Sequence, residues 1–145
     1  MKTRVAMLGV VAALVLLFAV GSAPGQQQPG NAPLFAPVDK ASFRVVSPGV
    51  SKAVVWGDQG KGPYGAFTKF EPDFDAGVHV HTNDIWIVVI QGAYLYIDDA
   101  GEKRVEPGDF LRIPGGRKHR SGGDKKWGAL FYEESSGRFD LMPVK

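Results

Sequence analysis

After residue 36 the chain predicts an all-β fold, a sandwich or barrel of short strands. Three observations carry this reading. Gly and Pro recur every few residues, β-branched and aromatic residues fill the intervals, and no stretch repeats its apolar residues at helical spacing. The chain shows no internal repeat, so the strands belong to one barrel and not to two in tandem.

Residues 1–25 read as a segment ahead of the fold. Met1-Lys2-Thr3-Arg4 is basic, Val5 to Val20 is apolar apart from one glycine, and Gly21-Ser22-Ala23-Pro24-Gly25 is small. That is the layout of a secretory signal peptide. The apolar run falls short of the ~20 residues a membrane span needs. The expectation is therefore an exported protein, periplasmic or secreted, with an uncleaved N-terminal anchor as the alternative. Residues 26–37 are polar, rich in Pro and Gly and aperiodic, and read as a disordered linker. The domain is then 38–145. The chain has no Cys, which excludes lipid attachment at a cysteine and leaves packing, not disulfides, to hold the fold.

The predicted strands are Phe43–Ser47, Lys52–Trp56, Ala66–Phe70, Val78–His81, Asp84–Gln91, Ala93–Ile97, Arg104–Val105, Phe110–Ile113, Lys118–Arg120, Gly128–Glu133 and Phe139–Met142. Turn signals such as Ser47-Pro48-Gly49, Glu71-Pro72-Asp73, Glu106-Pro107-Gly108-Asp109 and Pro114-Gly115-Gly116 separate them. In Asp84–Gln91, Ile85, Ile87 and Val89 share one parity and Trp86, Val88 and Ile90 the other. Both faces are apolar, so both should be covered. One face would line the barrel. The other would meet a second subunit, giving a homodimer, or the chain's own N-terminal strands.

The formal net charge of +2 disappears when Lys2 and Arg4 are set aside. Such a balance offers no basic field for nucleic acid. Arg117-Lys118-His119-Arg120 and Lys125-Lys126 are local clusters, either solvated loops or small anion sites.

The chain has three histidines, His79, His81 and His119. Residues two apart on a strand point to one face, so His79 and His81 can reach a common ion, and His119 is the one remaining imidazole to join them. Histidine is the commonest side-chain metal ligand, and the spacing suggests a site for one divalent ion: Fe, Mn, Zn, Ni or Cu. The opposing reading is a remnant site that no longer binds metal.

These residues resemble a known superfamily, the cupins, small jelly-roll β-barrels. The first cupin motif runs Gly, five residues, His-x-His, three or four residues, Glu, six residues, Gly. Here His79-Val80-His81 is followed by Thr82-Asn83-Asp84, Ile85, six residues and Gly92. The second motif runs Gly, five residues, Pro-x-Gly, two residues, His, three residues, Asn, and Gly108, Pro114, Gly116 and His119 fit it without a gap. The departures are Ile85 at the Glu position, Asp73 at the opening Gly and Gly123 at the closing Asn. The blocks Val54-Val55-Trp56-Gly57-Asp58, Gly62-Pro63-Tyr64-Gly65 and Ser136-Gly137-Arg138-Phe139-Asp140 further resemble a group of single-domain bacterial cupins without an assigned activity. The resemblance implies a cupin-type jelly roll with His79, His81 and His119 as metal ligands and the Glu ligand absent.

A metal held by three neutral imidazoles keeps open positions and its full charge, which favours an anionic or enolate-like small-molecule ligand. The expected activity is oxidation (an oxygenase), isomerisation or hydrolysis. The alternatives are a metal or ligand carrier or sensor without turnover, and a barrel with a dead site. Asp84 is a fourth ligand if a bulge re-aims it, an acceptor for an imidazole N–H, or an ordinary turn residue. Ile85 becomes an apolar wall beside the ion. Tyr94, Tyr96 and Trp127 either line a pocket mouth or pack. Lys69, Arg112 and Tyr132 bind a substrate anion if they point inward, a direction that parity cannot fix without the register.

Overall fold

Two antiparallel sheets account for nearly all the regular structure in the computed structural model, which describes residues 32–144. The expected signal segment and most of the expected linker lie outside the described residues. The strands are β1 Arg44–Ser47, β2 Val50–Gly57, β3 Tyr64–Phe70, β4 Asp75–Val80, β5 Ile85–Gly92, β6 Tyr94–Asp98, β7 Gly101–Val105, β8 Phe110–Ile113, β9 His119–Gly123, β10 Ala129–Ser135 and β11 Met142–Pro143. A single 3-10 turn, Val38–Lys40, precedes them, following Pro37, whose fixed φ suits the entry to a turn. One sheet has the order β1-β2-β3-β10-β5-β8 and the other β11-β4-β9-β6-β7. This is the all-β jelly roll that the sequence predicts.

Alternation decides which side chains meet inside. Ile85, Ile87 and Val89 of β5 are almost fully buried, and they join Phe131, Ile113, Tyr94 and Tyr96 in one core cluster. The opposite parity of β5 faces outward, with Trp86 half-buried and Val88 38% exposed. Past Val89 the simple parity fails. Leu130 of β10 pairs with Gln91 while Phe131 pairs with Val89, so Ile90 is the extra residue of a bulge.

The last predicted strand is displaced. Phe139 and Asp140 do not pair in a sheet. They form a strap in which the Phe139 N–H donates to Gln59 O at 2.8 Å and Asp140 Oδ1 accepts from the Thr82 N–H at 2.8 Å. Pairing resumes at Met142, opposite Val80.

Candidate metal centre and its cavity

The antiparallel register of β4 and β9 sets His79 directly opposite His119. His81, two residues further on, turns to the same side. The three rings lie 4.4 to 5.4 Å apart, centroid to centroid. One nitrogen from each falls within 4.8 Å of the others, and all three residues are buried. Among the described residues this is the one His/Cys/Asp/Glu group with metal-holding spacing.

Each ring is locked by a backbone carbonyl. His79 Nδ1 meets Gly77 O at 2.8 Å, His119 Nδ1 meets Arg117 O at 2.9 Å, and His81 Nδ1 meets Asp140 O. A carbonyl only accepts, so each Nδ1 carries the proton and each Nε2 keeps its lone pair. The Gly77 carbonyl reaches its place through a bulge: Asp75 pairs with Gly122 and Val78 with Arg120, and Gly77 takes the left-handed φ of 69° that the extra residue requires. Burial holds all three imidazoles below the ordinary histidine range, His79 to about 4, with neighbouring rings adding to the effect at His79 and His119. At neutral pH they are uncharged bases. His119 Nε2 is buried with no hydrogen-bond partner. Three neutral donors with fixed tautomers and one orphaned lone pair are what a divalent ion needs from its ligands. The donor set fits such an ion.

His79 and His81 line a cavity of about 600 Å³ between the sheets. Ile85 and Tyr94 are among the residues that line it. Tyr94 Oη bonds Ser121 Oγ at 2.6 Å, and Tyr96 stacks on His119 at 5.3 Å with its hydroxyl donating to Asp98. Tyr96 therefore backs the cluster without lining the cavity.

Five other candidate residues lie away from the cavity. Arg112 pairs with Trp86 on the outer face of the sheet and forms an ion pair with Asp84. Tyr132 also faces out, because Phe131 and Glu133 take the inward parity of β10; it accepts from Trp56 Nε1 at 2.8 Å. Trp127 is 68% exposed beside Lys126. Lys69 rests over the Phe43 ring at 3.8 Å on the same outer side. Asp84 joins neither the ligand group nor an imidazole. Its Oδ1 accepts from the Gly115 N–H at 2.8 Å and its Oδ2 from Arg112. With Gly116 N–H donating to His81 O at 2.7 Å, it ties the two histidine segments together. Gly116, at φ 75°, holds the turn this requires.

Sequence reading missed a polar triad on the cavity wall. Lys52 of β2 forms an ion pair with Glu133 Oε1 of β10, and Tyr64 Oη of β3 donates to the same oxygen at 2.7 Å. Both charged side chains are about 95% buried, at 5% and 6% exposure. The signal was the Phe131/Glu133/Ser135 alternation, which places Glu133 inside once Phe131 is assigned to the core.

The family described as Domain of unknown function (DUF4437) matches residues 46–145. No curated protein matches the sequence. Among solved structures, KdgF from Halomonas sp. is similar at 21% identity and a TM-score of 0.58, covering 70% of this chain and 94% of its own. The polyketide cyclase RemF from Streptomyces resistomycificus is similar at 18% identity and a TM-score of 0.63, covering 77% and 84%. An RmlC-like cupin from Shewanella frigidimarina is similar at 16% identity and a TM-score of 0.58, covering 72% and 92%. These likenesses establish the cupin fold.

Proposed function

We propose that this chain, which belongs to the DUF4437 family, is a metal-dependent cupin that converts a small molecule in its barrel cavity. The observation that carries this is the matched locking of His79, His81 and His119, each Nδ1 proton on a backbone carbonyl and each Nε2 left as a bare donor. One divalent ion would sit on these three nitrogens, and when bound it would polarise a substrate oxygen or activate water or dioxygen. The chain's own residues do the rest. Ile85, at 4% exposure, puts an apolar wall where cupins carry a ligating Glu and keeps water from that side. Tyr94 and the surrounding rings shape the cavity. One solved relative in fold is a polyketide cyclase and another a sugar phosphate isomerase, which supports turnover over storage.

Elemental analysis of protein purified without chelator, beside His79→Ala/His119→Ala, tests this. About one equivalent of Fe, Mn, Zn, Ni or Cu, lost in the double variant, is the expected result. No metal in either, even after reconstitution, overturns the reading in favour of a ligand-binding or structural barrel.

The reading includes export, on the composition of residues 1–25, which mass spectrometry of protein from a secreting host would test by the mature N-terminus. It also includes a homodimer through the outer face of β5 and β8, where Val88 and Phe110 are 38% and 65% exposed. Light scattering that gives a monomer mass would overturn the dimer.

A further inference from the structure

The Lys52–Glu133–Tyr64 triad lies across the cavity from the imidazoles but is close to them. The Phe139 ring touches both: His81 is 5.5 Å from it, centroid to centroid, and Lys52 Nζ lies 3.8 Å over the same ring. Glu133 and Lys52 both line the cavity, and the Glu133 charge acts on His81. Next to Lys52 in the β2–β3 register is Thr68, fully buried and cavity-lining, whose Oγ1 has no hydrogen-bond partner.

Stability does not explain this arrangement. A buried ion pair gains little over apolar residues of the same volume, because desolvation consumes most of the attraction. Buried charges on a cavity wall instead mark a candidate site for chemistry. The histidines cannot supply proton transfer, since each Nδ1 proton is held by a carbonyl and each Nε2 belongs to the metal site. The other carboxylate on the cavity, Asp75, sits at the surface, 41% exposed and paired with Arg120.

We propose that Glu133 is the proton-transfer residue of this cavity, acting on a small 2-oxo acid whose carboxylate and carbonyl oxygens lie at the histidine end. This rests on the metal-centre reading. Three uncharged ligands leave the ion's charge uncompensated, so the site takes an anion, and open positions on one side suit two adjacent oxygens. The aromatic walls suit the carbon end. The step is a proton exchange. The Glu133 carboxylate takes a hydrogen from C3 as a proton, the C–H electron pair becomes the C2=C3 bond, and the carbonyl π pair moves onto the C2 oxygen. Return of a proton from Glu133 to C3 reverses each shift. Nothing is oxidised or reduced, and no co-reactant is consumed.

The test follows the methyl signal of pyruvate by proton NMR in D2O, with the full chain and with metal content measured on the same sample. Exchange above the rate of buffer with free metal is expected. Glu133→Gln should lower it roughly 100-fold or more, the scale of general acid–base catalysis, at unchanged metal content, with a lower melting temperature because the buried Lys52 ammonium loses its counter-charge. Lys52→Met/Glu133→Leu removes both charges together and guards against a folding defect; it should also lose exchange while keeping metal. A second readout needs no turnover: in zinc-loaded protein the labelled Glu133 carboxyl carbon should shift in 13C NMR on adding pyruvate. One equivalent of metal with no exchange above control, with an unaltered rate in Glu133→Gln, or with no carboxyl shift overturns the role of Glu133 and leaves the metal centre standing. Absence of metal overturns both.

Discussion

The two polar walls of the cavity are built on opposite principles. The histidine wall, from β4 and β9 of the five-stranded sheet, is neutral: three bases held by backbone carbonyls, with no side-chain counter-charge among their Nδ1 partners. The opposite wall, from β2, β3 and β10 of the six-stranded sheet, is a compensated ion pair with a phenol on the same carboxylate oxygen. A neutral wall awaits charge from outside, and the paired wall holds its carboxylate ionised beside a fixed ammonium. On the proposed reading, the contrast separates a place for a cation from a place for proton traffic within one barrel.

The sharpest way to break the contrast is to empty the neutral wall. Metal should raise the melting temperature of the wild type, a ligand at 1,000 times its Kd being worth about 4 kcal/mol. His79→Ala/His119→Ala should abolish that rise in a thermal melt. The paired wall should respond to unbalancing. Glu133→Ala leaves the buried Lys52 ammonium alone and should cost about 3–5 kcal/mol in urea denaturation, whereas Lys52→Met/Glu133→Leu should stay near the wild type. A smaller loss is expected for Tyr64→Phe, about 1.5–3 kcal/mol for a hydrogen bond to a charged group, with metal content untouched.

The neutral wall also predicts a pH dependence of the metal-free protein. Its histidines titrate lower in the fold than unfolded, where the ordinary value is 6.5; His79 is held at about 4 by burial. The unfolded chain therefore binds protons first as pH falls, so this contribution is complete above about 6.5 and is lost on descending toward 4. Melting temperatures between pH 7 and 4 should fall more steeply for the wild type than for His79→Ala/His119→Ala. The smallest effect belongs to the outer face. Arg112→Ala and Tyr132→Phe should leave metal content unchanged, and a loss of metal in either would place them nearer the site than their parity does.

The histidine wall was readable in the sequence because its spacing is local. His79-x-His81 needs only strand alternation, and the Gly108 to His119 spacing is a turn geometry that survives substitution around it. Even a departure from the cupin pattern proves faithful in backbone terms: Asp73, in place of the opening glycine, has a φ of 60°, the one left-handed non-glycine among the described residues. Asp and Asn tolerate that region better than most side chains. The paired wall was invisible for a physical reason. Lys52 and Glu133 are 81 residues apart and meet only through two successive strand registers, β2 on β3 and β3 on β10. Register also left the direction of Arg112 and Tyr132 open, since a shift of one residue exchanges the two faces of a strand. Phe139–Met142 read as a strand from its apolar residues, but the bonds of Phe139 and Asp140 to Gln59 and Thr82 hold it as a strap.

That strap gives the candidate site a dependence on residues far from it in sequence. The carbonyl that orients His81 belongs to Asp140, 59 residues further on, and the Asp140 carboxylate is held in turn by Thr82, beside His81. The tie runs outside both sheets, so a substitution that loosened it would release the His81 ring while leaving every strand pairing in place.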